Sequence, residues 1–401
     1  MDTARFAAQV WARAPLLSRR EQLAAQGARE GEPAYAGAAL FSLDAVDELL
    51  SRRGLRTPFL RVAKDGVVVP SARYTRPGGT GAQVADQVAD DRVLSLFLDG
   101  HTVVLQGMHR VWPPIIDFAG ALTTELGHPV QVNAYVTPPQ SRGFAAHYDT
   151  HDVFVVQVAG EKRWRIHEPV LVDPLPDQAW TDRRAEVERR AAEEPVLDTV
   201  LRPGDSLYLP RGYLHSAEAL GGVACHLTVG VHPVTRHTVV QELVALLAQE
   251  PALRTSLPLG VDVADPRAVA ADVAGTIEAV MAGLGRVALP EVADRMAARL
   301  VSSNRAAPVG PLAQAAALAE LSLDSVLRVR PHQRSVLTVA GGEVLLRLVD
   351  RTLHLPEATG KAVRTLLDGE PVRVADLPGL DADAALSLAR RLMREAVVVP
   401  R

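Results

Sequence analysis

The stretch whose reading decides the fold is His147-Tyr-Asp149-Thr-His151-Asp-Val153-Phe-Val-Val-Gln-Val158-Ala-Gly160-Glu161-Lys162-Arg-Trp164-Arg-Ile166. A histidine and an aspartate stand two apart, ahead of an apolar, β-rich run. A Gly-Glu pair follows, then a second short run in which a lysine neighbours a tryptophan. In an extended strand, residues i and i+2 face the same side, so Ala145–Asp149 read as a strand presents His147 and Asp149 together. The runs Val153–Val158 and Lys162–His167 read as a hairpin turning near Gly160-Glu161, with Lys162 opening the return strand on the face of Trp164 and Ile166. A lysine on an apolar, aromatic face needs an anionic partner, because an unpaired buried ammonium is costly. The alternative is an exposed turn lysine, which is common at hairpins.

Downstream stands Gly204-Asp205-Ser-Leu-Tyr-Leu-Pro210-Arg211-Gly212-Tyr-Leu-His215. A turn, a short apolar strand and a Pro-Arg-Gly turn deliver a histidine at a strand end. Two histidines and one carboxylate form the facial triad of non-haem iron(II) oxygenases, which leaves three coordination positions open. Among 12 histidines a lone His-x-Asp is a weak signal; the distal Gly-Asp-x-x-x-x-Pro-x-Gly-x-x-His gives it weight. Zinc is the inorganic alternative, since the same ligands bind it. Upstream, Asn133 and Tyr135 lie at i and i+2 of the strand run Val130–Thr137. They read either as a polar pair satisfied inside a barrel or as hydrogen-bonding groups for a small acid or substrate. His151 reads as a loop residue rather than a ligand. His226 and His232 fall on the last strand beside Cys225, and His226 reads as inside the barrel, near the metal without ligating it.

From Val130 to His232 the texture is β throughout, adding Thr199–Leu201, Ser206–Leu209 and Val223–Val231 to the runs above. Short strands with regular turn signals indicate a sandwich or barrel. A polar insert dense in Arg and Glu, Pro174 to Glu194, interrupts them; it reads as a solvated loop or helix, or as a lid or partner contact. Residues 1–130 mix both patterns: helix from Phe6 to Leu23 broken near Pro15, helix opened by Ser42, strands at Phe59–Val62, Gly66–Pro70 and Thr102–Gln106, and helix from Pro114 ended by Gly127. Val239–Glu250, Arg267–Leu284 and Pro290–Val301 carry helical periodicity. The tail reads helix (Pro311–Leu321), hairpin (Ser335–Pro356, turning at Gly341-Gly342), helix (Glu357–Leu367), helix (Asp381–Glu395) and a closing strand (Val397–Val399). The expected fold class is therefore mixed α+β. Domains are expected at 1–236 (barrel), 237–305 (helical) and 306–401 (winged-helix-like).

Composition narrows the classes. A chain of 401 residues suggests two or three domains, and 48% hydrophobic with 22% charged residues suits a globular core. A net charge of −4 and a pI near 6.3 lack the basic excess of a nucleic-acid binder. The single Cys225 excludes a disulfide framework and a zinc site of several thiolates, and its apolar surroundings mark it as a core residue. With no signal peptide pattern and no run of about 18 apolar residues, a cytoplasmic protein without a membrane span is expected.

The motifs quoted above, with Asn133-Ala-Tyr135-Val-Thr-Pro-Pro-Gln-Ser-Arg142-Gly143 before them, resemble the JmjC-type ribosomal oxygenases of the cupin superfamily, most sharply over residues 95–232. The resemblance implies a double-stranded β-helix (jelly-roll) catalytic domain, followed by a helical dimerisation segment and a winged-helix domain. It implies iron(II) at His147, Asp149 and His215, and 2-oxoglutarate, used with dioxygen, at Lys162 and Asn133. Tyr135 and Arg142 are then substrate contacts. The implied substrate is an arginyl or histidyl side chain of a ribosomal protein or another polypeptide, and the implied assembly a homodimer. Gly230 and His232 depart from relatives that carry a serine near the substrate on the final strand. The acidic balance argues against direct DNA binding by the winged-helix-like part. Open alternatives are a hydroxylase of a peptide natural product or small molecule, a demethylase acting through N-methyl hydroxylation, and a non-enzymatic metal-binding cupin.

Overall fold

Alternating residues between Val130 and Val231 turn one strand face to an apolar core and the other to a cavity, and the strands pair antiparallel throughout. A computed structural model of the chain describes residues 2–27, 39–81, 83–139, 141, 145–303 and 305–401. It divides into two compact units, Met1–Pro233 and Val234–Arg401.

The first unit contains β1 (Leu16–Ser18), β2 (Leu60–Lys64), β3 (Val67–Val68), a small separate pair β4 (Thr75–Arg76) and β5 (Gln87–Val88), β6 (Thr102–Leu105), β7 (Val130–Thr137), β8 (Asp152–His167), β9 (Leu197–Leu201), β10 (Ser206–Leu209) and β11 (Leu214–Val231). Their order is β1-β10-β8-β11-β7-β6-β2-β3, with β9 also on β8. On one face, Val132, Ala134 and Val136 of β7 pack with Leu49, Met108 and Ile115 from the helices before them. The opposite parity, Tyr135 and Thr137, lines a cavity. This is a mixed α and β architecture of antiparallel sheets, consistent with the expected cupin fold.

The hairpin expected at Gly160-Glu161 is not there. β8 continues through the pair as one 16-residue strand, and β11 runs beside it for 18 residues. The first half of β8 pairs with β10 (Val156 opposite Ser206) and the second half with β9 (Lys162 opposite Leu201). Gly160 is a kink: its φ is +63°, and a Cβ there would lie 2.3 Å from the Val223 carbonyl oxygen. The kink shifts parity, so Val153 and Val155 before it, and Lys162 and Trp164 after it, face the same cavity. β11 slips register opposite, between Leu220 and Cys225. The chain does not reverse because β11 offers hydrogen-bonding partners to both halves of β8. Ala145–Asp149 is likewise not a strand; it makes the single bridge His147–His215. In place of a broken helix, the N-terminus forms helices Thr3–Gln9 and Arg20–Gly27 with β1 between them, where Leu16 pairs with Tyr208; the first helix has already ended at Gln9, ahead of Pro15. Helix Leu43–Arg52 begins as expected, capped by Ser42 Oγ accepting from the Ala45 N–H at 3.1 Å. Helix Pro113–Leu126 ends at Gly127, φ +70°.

In the second unit, helix Arg236–Leu247 is tied to Leu289–Ser303 by the half-exposed arginines Arg295 and Arg299, both donating to Glu242 at 2.9 and 3.0 Å. Helix Ala270–Leu284 lies between them in sequence. After helix Pro311–Ala319 come β12 (Val326–Val329), β13 (Val336–Ala340), β14 (Glu343–Arg347), β15 (Thr352–Pro356), helix Gly360–Leu367, β16 (Val372–Arg373), helix Ala382–Arg394 and β17 (Val398–Pro400). The hairpin expected over Ser335–Pro356 is a three-stranded meander, turning at Gly341-Gly342 and again near Asp350. β12 and β16 were not legible, being short and joined only through pairing. Leu327, Val344, Leu346, Val363, Leu388 and Leu392 form this region's own core. Among the described residues no single helix is long and apolar enough to cross a membrane, although the bent pair Ala270–Leu284 and Leu289–Val301 has that length and composition jointly.

Candidate metal and acid-binding site

The two halves of the histidine motif meet through backbone hydrogen bonds. The His147 N–H donates to the His215 carbonyl at 3.2 Å, and the His215 N–H to that of His147 at 2.8 Å. The Gly212 N–H donates to the Asp149 carbonyl at 3.0 Å. Gly212 has φ +89°, and a Cβ there would lie 2.4 Å from the Leu171 carbonyl oxygen, so the Pro-Arg-Gly turn requires glycine. Tyr148 points the other way, fully buried, its hydroxyl donating to the Gln178 carbonyl at 2.9 Å. His147 and Asp149 thus share the cavity side although the segment is not a regular strand.

One donor atom from each of His147, Asp149 and His215 lies within 4.8 Å of the others, a set that could hold a metal ion. His215 Nε2 is 3.7 Å from Asp149 Oδ2. His147 Nδ1 lies 2.8 Å from the Ala145 carbonyl and His215 Nδ1 3.1 Å from that of Tyr213. A carbonyl only accepts, so each Nδ1 carries the hydrogen, and Nε2 is the nitrogen left to face a metal. Burial, reinforced by the neighbouring His147, pushes His215 down to about 4. Burial works to raise the Asp149 carboxyl, but His151, His215, His147 and His232 outweigh it and hold the group below the usual carboxylate range. Near neutrality the site therefore presents a carboxylate and a neutral imidazole at these positions.

Deeper in the same cavity, of about 320 Å³, sits Lys162, 3% exposed. Its Nζ donates to Thr137 Oγ1 at 2.8 Å and lies 3.0 Å from His226 Nδ1. Thr137 Oγ1 is in turn 3.2 Å from Thr102 Oγ1. Burial pushes Lys162 down to about 7, since both partners are neutral. The buried Trp164 indole N–H, on the same wall, has no hydrogen-bond partner among the described residues. Burial, aided by Asp149, pushes the Tyr135 phenol up to about 12. The polar insert also reaches the cavity. Trp180 lines it, 6.2 Å from the His147 ring, with the Arg184 guanidinium 5.1 Å over the indole. Val187 of helix Arg184–Ala191 packs beneath, with Tyr148 and Leu214.

Of the residues singled out from sequence, His147, Asp149, His215, Lys162 and Tyr135 all line this cavity. Asn133 does not; its Oδ1 accepts the Gly107 N–H at 3.0 Å. Arg142 lies outside the described residues. His151 is off the lining, packed on Gly230 and stacked on His232 at 4.9 Å. Sequence reasoning missed Thr137, Thr102, Arg61 and Trp180 as lining residues. Thr137 had a signal: it continues the i, i+2 series of Asn133 and Tyr135 along β7.

The antiparallel fold gathers two histidines and a carboxylate that could hold a metal ion, with a buried lysine, around one cavity, an arrangement consistent with the cupin fold. Residues 117–239 match the family model of the JmjC domain. The chain is 37% identical over 164 residues to "Ribosomal oxygenase 1" of Rattus norvegicus, covering 41% of this chain and 27% of that protein. It is 37% identical over 131 residues to "Bifunctional lysine-specific demethylase and histidyl-hydroxylase NO66" of Drosophila erecta, covering 32% of this chain and 20% of the relative. The matches thus span well under a third of these relatives' length. The structure of YcfD, a ribosomal oxygenase from Escherichia coli, in complex with cobalt and 2-oxoglutarate, superposes with a TM-score of 0.53 at 17% identity, covering 100% of this chain and 98% of that one; the likeness is one of fold. Residues 117–239 resemble a JmjC domain, and the chain is similar over part of its length to ribosomal oxygenases.

Proposed function

We propose that the protein is an iron(II)- and 2-oxoglutarate-dependent oxygenase that hydroxylates an arginyl or histidyl side chain of a ribosomal protein. The observation that carries this reading is the buried Lys162, bonded to neutral groups and facing the same cavity as His147, Asp149 and His215. A buried ammonium without a carboxylate partner is costly, and an acid chelating the metal from its other end would supply one. The donor set of two imidazoles and one carboxylate suits iron(II) with open positions, and the unpartnered Trp164 N–H offers a further donor to an anionic ligand.

When bound, iron with 2-oxoglutarate and dioxygen supplies the oxidising power for an unactivated C–H bond. The chain's own part is to hold and aim. His147 and His215 are fixed in orientation by the carbonyls of Ala145 and Tyr213. Lys162 takes the distal carboxylate. The contact expected of Asn133 passes to Thr137, because Asn133 is off the cavity lining while Thr137 is on it beside Lys162. Tyr135 and Trp180 wall the space left for the substrate side chain. The ribosomal substrate rests on the relatives named above, one of which is called a histidyl-hydroxylase.

The proposal extends to the second unit. Residues 237–305 serve as a homodimerisation segment and residues 306–401 as a winged-helix-like unit that does not bind DNA directly. Val273, Ile277 and Met281, spaced by four on helix Ala270–Leu284, are 51%, 58% and 65% exposed, and Val240 and Val244 are exposed on helix Arg236–Leu247. Apolar stripes of this kind mark interfaces. The test of function is conversion of 2-oxoglutarate to succinate by the iron-loaded chain, with mass spectrometry of ribosomal proteins from cells with and without the gene. One added oxygen on a ribosomal protein, dependent on the gene, is expected; no turnover with any ribosomal extract would overturn the reading.

A further inference from the structure

We propose that His226 is a positioning residue for the co-substrate: its Nδ1, together with Thr137 Oγ1, orients the Lys162 ammonium to receive a carboxylate. This rests on the reading that 2-oxoglutarate binds at Lys162. A lysine ammonium has three donors and no acceptor. Thr137 Oγ1 takes one at 2.8 Å and His226 Nδ1 a second at 3.0 Å, which leaves one for a ligand. While Lys162 is charged, below about pH 7, it only donates, so Nδ1 is then the acceptor and the neutral His226 ring carries its hydrogen on Nε2.

The imidazole is held for this task. His226 on β11 stands directly opposite Tyr135 on β7, and the two rings stack at 5.0 Å with an interplanar angle of 5°. The Trp164 ring meets the imidazole edge-on at 5.3 Å and 82°. The ring is 4% exposed. Thr137 is fixed by its neighbour Thr102 at 3.2 Å. Lysine is otherwise a flexible point charge with rotatable donors. Two fixed acceptors turn it into a directional one, and the directed donor shares a wall with the free Trp164 N–H.

Calorimetric titration of the manganese-loaded full chain with 2-oxoglutarate tests this. His226→Phe keeps a flat ring for the Tyr135 stack and removes the acceptor. His226→Asn keeps an acceptor near the Nδ1 position and removes most of the ring. The expected result is binding weakened about tenfold or more in His226→Phe, a hydrogen bond to a charged group being lost. His226→Asn should recover most of that loss, with metal content unchanged in both. Parent-like binding by His226→Phe, or weaker binding by His226→Asn than by His226→Phe, would overturn the proposal in favour of packing alone. If neither variant folds, nitrogen NMR of the parent's own ring decides: an unprotonated Nδ1 supports the proposal, and a protonated Nδ1 overturns it. Failure of the underlying reading looks different, because then the parent binds no 2-oxoglutarate or Lys162→Ala binds it equally well.

Discussion

At the scale of single residues the site is a division of charge. The His215 and His226 rings are held neutral, the Asp149 carboxylate is held ionised, and the Lys162 ammonium waits for a partner. His215→Ala removes an Nε2 donor and should abolish stoichiometric metal binding, read by elemental analysis; full metal content in that variant would sink the ligand assignment. Lys162→Ala should raise the co-substrate requirement by about two to three powers of ten, the loss of one partner of a buried pair costing roughly 3–5 kcal/mol. Lys162→Arg, which keeps the charge in another geometry, should retain part of the affinity. The pH dependence follows with its sign. Without ligand, burial pushes Lys162 down to about 7, so it is charged below that pH and loses its proton above it. A carboxylate binds the charged form, so affinity should be highest below pH 7 and fall by up to about tenfold per unit above it. In the unfolded chain a lysine stays charged to about pH 10.4. Between the two values the unfolded state holds more protons, and this group makes the ligand-free protein more stable as pH rises. Calorimetry across that range checks both trends. That His147, Asp149, His215 and Lys162 would face one cavity was legible in the sequence because the signals are local, a pair at i and i+2, a histidine just after the Pro-Arg-Gly turn and a lysine beside an aromatic residue. The partners of Lys162 were not, because Thr137 and His226 reach it only through the pairing of β7 and β8 with β11.

At the scale of elements, two glycines decide where the strands go. Gly160 reads in sequence as a hairpin turn, since Gly-Glu between two apolar runs is the usual signal for reversal. Whether a chain reverses or only kinks depends on the strand beside it, and β11 lies more than fifty residues away in sequence. Gly160→Ala would force a side chain into left-handed backbone and against the Val223 carbonyl. It should destabilise the protein by roughly 2 kcal/mol or more, read as a lower thermal midpoint. Gly212→Ala should cost a similar amount and also weaken metal binding, because the Gly212 N–H holds the Asp149 carbonyl. A Gly212→Ala protein that melts like the parent and keeps its metal would show that the turn does not set the ligand geometry. Two helix starts were legible at their caps, whereas the starts expected at Val239 and Arg267 lie at Arg236 and Ala270. Ser42 and Asp381 cap where a short polar side chain precedes an apolar-periodic run, and both accept from the third residue on.

At the scale of the whole molecule, the order of β-rich, helical and mixed segments was legible from periodicity, as was the turn at Gly341-Gly342, while the third meander strand β15 and the short β12 and β16 were not separated, because their pairing partners decide them. The exposed stripe Val273, Ile277 and Met281 leads to a two-fold dimer at micromolar concentration by light scattering. Ile277→Asp should shift it towards monomer; a monomeric parent would remove the proposed interface. The claim on which the rest depends is that one cavity holds iron(II) through His147, Asp149 and His215 and 2-oxoglutarate through Lys162. An anaerobic titration of the iron(II)-loaded chain with 2-oxoglutarate, followed by the visible charge-transfer absorption of the chelated metal, measures this directly. The parent should develop a band that saturates at one equivalent, His215→Ala should show none, and Lys162→Ala should need far more 2-oxoglutarate. A parent protein that forms no band, or a band that survives His215→Ala unchanged, would contradict the account.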